Sequence, residues 1–470
     1  MPDLSKDIKA YTQQNGLIAP HSVVLVAVSG GADSISLLHI LDGIKAEWPF
    51  ALHIAHLNHQ LRPNAQQDAE FVADIAHKLK VPVTIDTSDI LERAKTEKRS
   101  IEDAARQSRR AFLRHTAENI GASRVALGHT QSDQVETILF RLLRGTSTTG
   151  LAGIRPITDN FWIRPLLETT RLQVESYTKH HQLSYCTDET NKDTRFARNK
   201  IRHQLLPHLK AHFAPQIEGA LTRLGRIAKD EDAYLENLSR KALQKATLYS
   251  ANRKIILDVK RIFGYHISLQ RRLIKKALFG LDIGENAVTF EVIDRLQNCL
   301  NQTQAHVEIS GDVSALRTQG LFILSRPCPP FNVPIHLSGK TSFPIQNAQI
   351  IAKQYASTQA PLIIPGDAYT VLFDAEQMPK SLHIRQMRSG DRFCPFGIDG
   401  TQKVSKLLRN LKIPRNLRGE IPVLVGDNQI LWVLGLRRST FAPVTSKTKQ
   451  ILQLIFEGGW QRMITHPEMR

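Results

Sequence analysis

The stretch VVLVAVSGGADSISLLHIL, residues 23–41, decides the fold of the first part of the chain. It starts with apolar, mostly β-branched residues, which is typical of a strand that is buried on both faces of a parallel sheet. The turn Ser29-Gly30-Gly31-Ala32-Asp33-Ser34 then opens an apolar helical pattern, so backbone amides and hydroxyl groups meet at a helix N-terminus. That geometry binds phosphate. The stretch therefore predicts a strand, a phosphate-binding loop and a helix in direct succession.

Strand-like and helical patterns alternate from this stretch to about residue 145. Apolar runs at 51–58, 81–88 and 124–129 are short and rich in β-branched residues. The segments between them have the three-to-four spacing of amphipathic helices. This alternation predicts an α/β fold, an open doubly wound parallel sheet that binds its ligands at the carboxyl ends of the strands.

Changes of pattern along the chain predict three domains. We expect a catalytic domain over residues 1–207, a helical domain over 208–330, and a small mixed α/β domain over 331–470 whose core spans about 381–460. Long helical stretches support the second domain. Proline-rich breaks, followed by short apolar runs, support the third.

The chain is strongly basic, with 62 Lys and Arg against 44 Asp and Glu and a net charge of +18. The basic residues lie in globular segments and not in one amphipathic helix, which favours nucleic acid over a membrane surface as the partner. The polar N-terminus and the lack of a long apolar run predict a cytoplasmic protein. The cysteines, Cys186, Cys299, Cys328 and Cys394, are far apart, so no disulfide framework, zinc site or iron–sulfur site is indicated.

Asp33 in the glycine-rich loop can hold a magnesium ion that neutralises bound phosphates, while Ser29 and Ser34 offer hydroxyl donors. The paired Gly30 and Gly31 let the backbone approach an anion closely. No lysine follows the glycines, which disfavours a Walker A loop. Taken alone, the loop could also be a tight turn in which Ser or Asp only caps the helix.

Polar residues follow two further predicted strands. His56 and Asn58 end the second strand beside the loop, where adenine or ribose would lie, unless they belong to an ordinary surface loop. His129, Asp133 and Glu136 follow the fourth strand and project from one helical face. The two carboxylates form an acidic pocket for an ammonium group or a metal ion, unless they only favour the helix dipole.

Longer blocks around these residues resemble a known family. The Ser29–Ser34 loop resembles the SGGxDS loop of the PP-loop (N-type) ATP pyrophosphatases, in which it holds the pyrophosphate portion of ATP. Further blocks narrow the resemblance to the tRNA(Ile)-lysidine synthetase family. They are AHLNHQLRPNAQQDAEFV at 55–72, EDAARQSRRAFL at 102–113, GHTQSDQVETILFRLLRG at 128–145 and DETNKDTRFARNKIRHQLLP at 188–207.

The resemblance implies ATP-dependent ligation of free lysine to C2 of the wobble cytidine in the CAU anticodon of tRNA(Ile). ATP would adenylate the C2 oxygen and release diphosphate, and the lysine ε-amine would then displace AMP. The product is lysidine, which changes codon reading from AUG to AUA. The resemblance implies ATP and Mg²⁺ as cofactors, with Asp33 and Glu136 as metal ligands, and it leaves the oligomeric state open, a homodimer included.

The same resemblance implies further active-site residues. The expected catalytic residues are Asp33, Arg109, His129, Asp133, Glu136, Arg198 and Arg202, and the expected nucleotide-binding residues are Ser29, Gly30, Gly31, Ala32, Asp33, Ser34, His56 and Asn58. Asn199 is expected to act as a positioning group. Other basic residues of these blocks line a polyanion path or form solvated helix faces; they are Arg106, Arg110, Arg141, Arg144 and Arg195.

The last segment carries a second basic feature. Between residues 381 and 470, 15 Lys and Arg stand against 6 Asp and Glu. A row of basic residues, suited to phosphate contacts with RNA, consists of Lys403, Lys406, Arg409, Lys412, Arg415 and Arg418. By resemblance this segment is a tRNA-binding domain, and a solvated basic face is the alternative. Phe393, Phe396 and Trp432 are predicted to be core residues rather than platforms for bases.

Other functions explain fewer of these features. A tRNA thiolase with the same loop would need reactive or cluster-binding cysteines, and none lies in the site blocks. A small-molecule amide ligase would leave the basic C-terminal segment unexplained. A non-catalytic RNA-binding protein would not need Asp33, Asp133 and Glu136 together with both loop serines.

Overall fold

A computed structural model describes residues 3–60, 65–186, 197–310, 312–318, 320–345, 348–359, 368–413 and 415–458. The chain forms two compact units, Met1–Tyr234 and Leu235–Arg470. The division falls inside one long helix, Ile217–Ala246.

The first unit contains a six-stranded sheet. Its strands are β1 Val23–Ala27, β2 Ala51–Asn58, β3 Val83–Thr87, β4 Arg124–Ala126, β5 Ile157–Thr158 and β6 Trp162–Ile163. Their spatial order is 3-2-1-4-6-5, and neighbouring strands are parallel except β5 with β6. The order changes direction between β1 and β4, which is where a doubly wound sheet binds its ligands.

Helices cover this sheet on both faces. They are α1 Leu4–Gln14, α2 Ala32–Ile44, α3 Ala65–Leu79, α4 Ile90–Thr96, α5 Ile101–Ile120, α6 Gln131–Leu143, α7 Thr148–Leu151 and α8 Arg171–His180. Val24 and Val26 lie in an apolar cluster with α1, α2, α3 and α8, whereas Leu25 lies in a second cluster with α5. Since successive strand residues point to opposite faces, the sheet is buried on both sides and the predicted doubly wound α/β fold is confirmed.

A helical segment completes the first unit. Here α9 Ala197–Lys200 continues into a π-helical turn, Ile201–Leu205, and then into α10 Leu206–His212. Next comes α11 Ile217–Ala246, which extends into the second unit. Ile201, Leu206 and Leu221 pack in one apolar cluster with Val135 and Ile138 of α6. This packing places Arg202, which lies on the π-helical turn, beside α6.

The second unit begins with helices and a sheet. The helices are α12 Val259–Phe263, α13 Ile267–Phe279 and α14 Phe290–Asn301, and a short 3₁₀ turn covers Glu285–Ala287. The strands are β7 Thr247–Ala251, β8 Lys254–Asp258, β9 Ala305–Ser310, β10 Val313–Thr318 and β11 Leu321–Ser325, in the antiparallel order 7-8-11-10-9. The sequence predicted the helices but not this sheet, because short apolar runs such as KIILD have no period that separates strand from helix.

The C-terminal part is a mixed module in which strands predominate. The strands are β12 Asn332–Pro334, β13 Gly339–Ser342, β14 Gln349–Ala356, β15 Thr370–Asp374, β16 Leu382–Gln386, β17 Arg392–Phe393, β18 Gln402–Lys403, β19 Pro422–Gly426, β20 Gln429–Val433, β21 Arg437–Arg438 and β22 Gln450–Glu457. They form sheets in the orders 12-16-19-20-21, 13-14-22-15 and 17-18. The helices are α15 Val404–Asn410 and α16 Arg415–Arg418, with 3₁₀ turns at Ser357–Gln359 and Ala375–Gln377. In the described part of the chain, no helix combines the length and apolar character needed to cross a membrane.

Candidate active site

The glycine-rich loop folds into a compact turn between β1 and α2. Gly30 adopts a φ of 89°, a conformation that glycine adopts freely and other residues rarely do. The Ser34 hydroxyl donates to the Gly31 carbonyl at 2.9 Å, and the Ser29 amide donates to Ser34 Oγ at 3.2 Å. Gly31 is the N-cap of α2 and has no side chain to bond the first-turn amides. Those amides are therefore left to bind an anion.

The end of β4 approaches this loop closely because residue 128 is a glycine. A Cβ atom on Gly128 would lie 3.2 Å from the Ser34 amide nitrogen and 3.3 Å from the carbonyl carbon of Asp33. Both are backbone atoms at the start of α2, so a side chain would push the two elements apart. The close approach brings the first residues of α6 to the phosphate-binding loop.

Three carboxylates and one arginine meet at this point. The Nε atom of Arg202 donates to Glu136 Oε1 at 2.5 Å, and Arg202 Nη2 lies 3.8 Å from Asp133 Oδ1. Asp33 interacts electrostatically with both Asp133 and Arg202. The structure thus brings together four of the expected catalytic side chains. Three carboxylates stand against one guanidinium among these four side chains, while Arg171 acts electrostatically on Asp33 and Arg198 on Glu136.

The electrostatic environment disfavours the anionic form of two of these carboxyl groups. Burial, followed by the neighbouring Asp133, raises the pKa of Asp33 to about 6. Burial also raises the pKa of Glu136, although its bond to Arg202 opposes this effect. A cation bound between these groups would stabilise their ionised forms.

Asp133 has a second, structural contact. Its Oδ2 atom accepts from the Thr130 amide at 2.8 Å and from the Thr130 hydroxyl at 3.1 Å. Asp133 therefore caps the start of α6 while its other oxygen faces Arg202. The capping contact fits the interpretation in which Asp133 favours the start of the helix, and the pocket for an ammonium group or a metal ion stays a prediction.

His129 follows β4 and precedes the first residue of α6, so the prediction that it shares a helical face with Asp133 and Glu136 was wrong. Its ring has a buried nitrogen. Its Nδ1 atom has no hydrogen-bond partner among the described residues. Burial lowers the pKa of His129 to about 4, although Asp133 opposes this effect. The imidazole is therefore neutral near pH 7 and can donate or accept a hydrogen bond without carrying charge.

The end of β2 supplies the two expected nucleoside-binding residues, His56 and Asn58, which are both 5% exposed. His56 Nδ1 bonds the Val28 carbonyl at 2.8 Å, which fixes the ring against the strand that carries the loop. Asn58 Oδ1 accepts from the Gln60 amide at 2.9 Å. Asn58 thus shapes the turn after β2, and the side chain that follows it, His59, receives a bond of 3.2 Å from Arg109.

The other arginines of the sequence blocks differ in their contacts. Arg109 and Arg198 both act electrostatically on His129. Asn199 is half-buried beside Arg198 on α9. Three others have local structural contacts: Arg110 with Asp159, Arg141 with the Gly150 and Gly153 carbonyls, and Arg144 with the Phe140 ring. The charges of Arg198 and Arg110 both act on Arg106. Arg195 lies outside the described residues.

Cys186 contacts the loop although it lies outside the sequence blocks. Its amide donates to the Gly30 carbonyl at 2.9 Å, and its Sγ atom would be 3.4 Å from a Cβ on Gly30. The sequence carried no signal for this contact, since nothing in the spacing relates residue 186 to residue 30. The other three cysteines, Cys299, Cys328 and Cys394, belong to the second unit. The first unit therefore has no cysteine pair for thiolation chemistry.

The cluster can supply a magnesium ion with one or two protein ligands. Among the described residues no group of three or more His, Cys, Asp or Glu is arranged to hold a metal. Mg²⁺ needs only one or two carboxylates when phosphates and water supply its other ligands. Asp33 fits that role, because it is half-buried at the start of α2. Glu136 is 3% exposed and accepts from Arg202 through Oε1, which leaves Oε2 as the oxygen that could bind a metal.

The basic row of the C-terminal module is exposed on one side and packed on the other. Val404, Leu408, Ile413 and Leu417 are buried in an apolar cluster. The exposed members of the row are Lys403, Lys406, Arg409, Lys412 and Arg415. The Arg418 side chain is half-buried and donates to the Ile413 carbonyl at 2.8 Å. The outer side of this segment is therefore a continuous cationic surface.

The predicted core aromatic residues of this module divide differently. Phe393 is 4% exposed and Trp432 is fully buried, as expected for core residues. The prediction was wrong for Phe396, which is 46% exposed. The Arg438 guanidinium lies 4.6 Å from the Phe396 ring centroid, so a cation–π contact on the surface holds this ring.

Comparisons with known proteins agree with this arrangement. Residues 2–209 match the PP-loop domain family, and residues 382–454 match the TilS substrate C-terminal domain. The chain is 32% identical to a tRNA(Ile)-lysidine synthase of Clostridium acetobutylicum, over 96% of this chain and 99% of that protein. It is also 32% identical to a tRNA(Ile)-lysidine synthase of Symbiobacterium thermophilum, over 93% of this chain and 94% of that protein.

Among solved structures, the chain is similar to a U34-tRNA thiolase of Methanococcus maripaludis. The identity is 15%, the TM-score is 0.41, and the match covers 48% of this chain and 78% of the thiolase.

Proposed function

Because the chain belongs to the tRNA(Ile)-lysidine synthase family, we propose that it ligates lysine to the wobble cytidine of a CAU-anticodon tRNA(Ile). ATP is converted to AMP and diphosphate, and the lysidine product moves codon reading from AUG to AUA. The observation that carries this proposal is the convergence of Asp33, Asp133, Glu136 and Arg202 at the glycine-rich loop. Free tRNA and free lysine are its substrates, and the cytoplasm is where it meets both.

ATP binds with its β- and γ-phosphates on the loop. The amides at the start of α2 and the Ser29 hydroxyl donate to the phosphate oxygens. The Ser34 hydroxyl joins them when it turns away from the Gly31 carbonyl, to which it donates in this structure. The C2 oxygen of the cytidine attacks the α-phosphorus, and diphosphate leaves. This step activates C2, because the adenylated oxygen becomes a good leaving group.

Mg²⁺ supplies charge neutralisation for the phosphates when it is bound. Asp33 is the proposed protein ligand, because it is the one carboxylate of the cluster that lies on the loop itself. Glu136 remains a second proposed ligand. Its Oε1 atom accepts from Arg202, so it would bind the metal through Oε2.

Lysine binds at the carboxylates of α6. Its cationic groups suit Asp133 and Glu136, which share the contact with Arg202, and Asp33, which interacts electrostatically with Asp133 and Arg202. The ε-amine, once deprotonated, attacks C2 of the adenylated cytidine and AMP leaves. Arg202 holds Glu136 in place during this step and limits the negative charge of the pocket.

His129, Arg109 and Arg198 are the proposed partners of the reacting atoms. Arg109 and Arg198 act electrostatically on the neutral His129 ring, so all three lie at the same edge of the sheet. The arginines stabilise charge that develops on the phosphates, and the buried Nδ1 atom of His129 bonds the cytidine. Each role is a proposal for the residue concerned.

The C-terminal basic surface is the proposed grip on the tRNA backbone. Cationic side chains are exposed at short intervals along this surface; they are Lys403, Lys406, Arg409, Lys412 and Arg415. Such contacts set the affinity and position of RNA without reading its sequence.

The decisive experiment incubates the protein with ATP, Mg²⁺, labelled lysine and a CAU-anticodon tRNA(Ile) transcript, and follows label and AMP together. We expect one lysine in the RNA for each AMP released. The matched control is the same transcript with uridine at the wobble position, which has no adenylatable cytidine there. AMP release without label would indicate a different nucleophile. The absence of both AMP and label would contradict catalysis altogether.

A further inference from the structure

The turn after β2 holds His59 in a defined orientation. Asn58 Oδ1 accepts from the Gln60 amide at 2.9 Å, and Gln60 adopts a φ of 53°. The Asn58 carbonyl in turn accepts from the Ser88 amide at 2.9 Å. This turn fixes the backbone on both sides of His59 and aims its side chain toward α5.

The partner of His59 identifies its protonated nitrogen. Arg109 Nη2 lies 3.2 Å from His59 Nε2. Arginine has only donors, so Nε2 must be the acceptor and the ring proton must sit on Nδ1. Burial, followed by the Arg109 charge, lowers the pKa of His59 to about 4, which agrees with a neutral ring.

The remaining ring atom is a buried donor. His59 Nδ1 is inaccessible to water and has no hydrogen-bond partner among the described residues. His56, on the same strand, bonds the Val28 carbonyl through the equivalent atom. A buried donor that lacks a partner destabilises the folded protein, and such atoms at an active site often await a ligand.

Arg109 connects this histidine to the reaction. The guanidinium acts electrostatically on His59, on His56 and on His129 across the ends of β2 and β4. Although the residue as a whole is exposed on α5, burial lowers the pKa of its guanidinium, so the charged end is desolvated and a bonded partner holds it in one orientation. His59 is the side chain to which it bonds.

We propose that His59 is a positioning residue for adenylation: its Nε2 atom orients the Arg109 guanidinium, and its Nδ1–H donates to an acceptor atom of a bound nucleoside. The inference rests on the proposed function. Both ATP and the target cytidine carry carbonyl oxygens, ring nitrogens or ribose oxygens that suit this donor. Which of the two nucleosides receives the bond is decided by the variants below.

The test compares His59→Ala, His59→Gln and His59→Asn in AMP release at saturating and limiting ATP and tRNA. His59→Ala should lower kcat about tenfold to a hundredfold, because the guanidinium loses its fixed position. His59→Gln places an amide oxygen near the site of Nε2 and should recover most of kcat. His59→Asn places an amide near the site of Nδ1, so it should keep the low kcat but restore KM for one nucleoside, either ATP or tRNA.

A double-mutant cycle with Arg109→Ala separates positioning from a general structural effect. If His59 acts on kcat through Arg109, His59→Ala should cause no further loss of kcat in the Arg109→Ala background. The matched control is His53→Ala, which removes a half-buried histidine of β2 bonded to Thr84 at 2.8 Å and should leave kcat unchanged.

Several results would overturn the inference. These are independent effects of the two substitutions on kcat, a His59→Gln variant no better than His59→Ala, an equal loss in His53→Ala, or unchanged KM for both nucleosides in His59→Ala. An unmodified protein that forms no lysidine would contradict the proposed function. An unmodified protein that forms lysidine, with a fully active His59→Ala variant, would contradict only the role of His59.

Discussion

At the scale of single residues, Asp33 combines three properties that are rarely found in one carboxylate. It starts the helix that follows the glycine-rich loop, it is half-buried, and Asp133 lies close enough to raise its pKa further. A carboxylate in such surroundings gains stability as an anion when a cation binds. This is the physical basis for a magnesium ligand beside phosphates.

Asp33→Ala should therefore reduce AMP formation about a hundredfold or more, because the ion that neutralises the phosphates loses its protein ligand. The affinity for tRNA should stay nearly unchanged. AMP release and tRNA binding are measured on the same preparation, and Asp42→Ala on the same helix serves as the control. Undiminished turnover in Asp33→Ala would show that the metal assignment is wrong.

The pair of Glu136 and Arg202 separates catalysis from stability. Glu136→Gln keeps a hydrogen-bond acceptor for Arg202 but removes the negative charge, so lysine transfer should fall strongly with little change in the unfolding temperature. Arg202→Ala leaves the buried Glu136 without its cation and should cost about 3–5 kcal/mol of stability. Thermal unfolding and label transfer for both variants test this contrast; equal stability losses would contradict it.

At the scale of secondary-structure elements, the contact of β4 with the start of α2 decides whether the site assembles. Gly128 makes this contact possible, since a Cβ there would approach backbone atoms at 3.2 and 3.3 Å. Backbone atoms inside a helix turn cannot move aside as a flexible side chain can. The helix and the strand end must therefore separate when residue 128 becomes larger.

Gly128→Ala should lower kcat while tRNA affinity stays unchanged, and it should destabilise the protein by about 1–3 kcal/mol through overpacking. Gly43→Ala on α2 is the matched control, because a Cβ at residue 43 meets nothing within 4 Å. That variant should be fully active and slightly more stable, since alanine favours a helix. Full activity in Gly128→Ala would contradict the importance of this contact.

In the C-terminal module, Arg385 and Asp391 join β16 to the following turn. The Arg385 guanidinium donates to both carboxylate oxygens at 2.8 and 2.9 Å, and the two side chains are 11% and 12% exposed. Although burial opposes it, Arg385 holds the pKa of Asp391 below its usual value. The carboxylate therefore contributes stability above its unfolded pKa of about 3.9, and that stability is lost as the pH falls through the lower folded value.

Asp391→Asn should consequently lower the free energy of unfolding at pH 7 by about 3–5 kcal/mol. The difference from the unmodified protein should shrink as the pH drops below about 4, because Asp391 becomes protonated there. Denaturant unfolding of both proteins across this range measures it. A difference that stayed constant with pH would show that the charge of Asp391 plays no part.

At the scale of the whole molecule, the net charge of +18 includes two separate sets of basic residues. Arg109 on α5 and Arg198 on α9 act electrostatically on His129, whereas Lys403, Lys406 and Lys412 are exposed on the C-terminal module. The two sets should respond differently to salt, because exposed charges are screened and buried ones are not.

Lys403→Ala combined with Lys406→Ala should weaken tRNA binding and reduce the slope of log affinity against log salt by about two. The KM for ATP should not change. Lys447→Ala combined with Lys449→Ala removes two exposed lysines of the same module and provides the control. Equal losses in both double variants would indicate a general effect of charge and not a binding surface.

What the amino-acid sequence determined by itself is the four parallel strands β1 to β4 of the first sheet and the loop after β1, whereas the antiparallel pair of β5 and β6 was not predicted. The strand at 51–58 was found at Ala51–Asn58, and the loop residues 29–34 form the predicted link from strand to helix. These features depend on local composition and periodicity, which are readable in a single chain. The sheet at 247–325 was not predicted, since its short apolar strands have no distinctive period.

Only the tertiary structure decided which side chains meet. Arg202 and Glu136 are 66 residues apart, and Arg109 and His59 are 50 residues apart. Cys186 reaches Gly30 with no signal in its own neighbourhood. Such contacts depend on the order of the strands and on the close approach at Gly128, and neither follows from the local preferences of a segment. The sequence determined the parts of the site, and packing decided their partners, because packed layers of helices and strands bring together segments that are far apart along the chain.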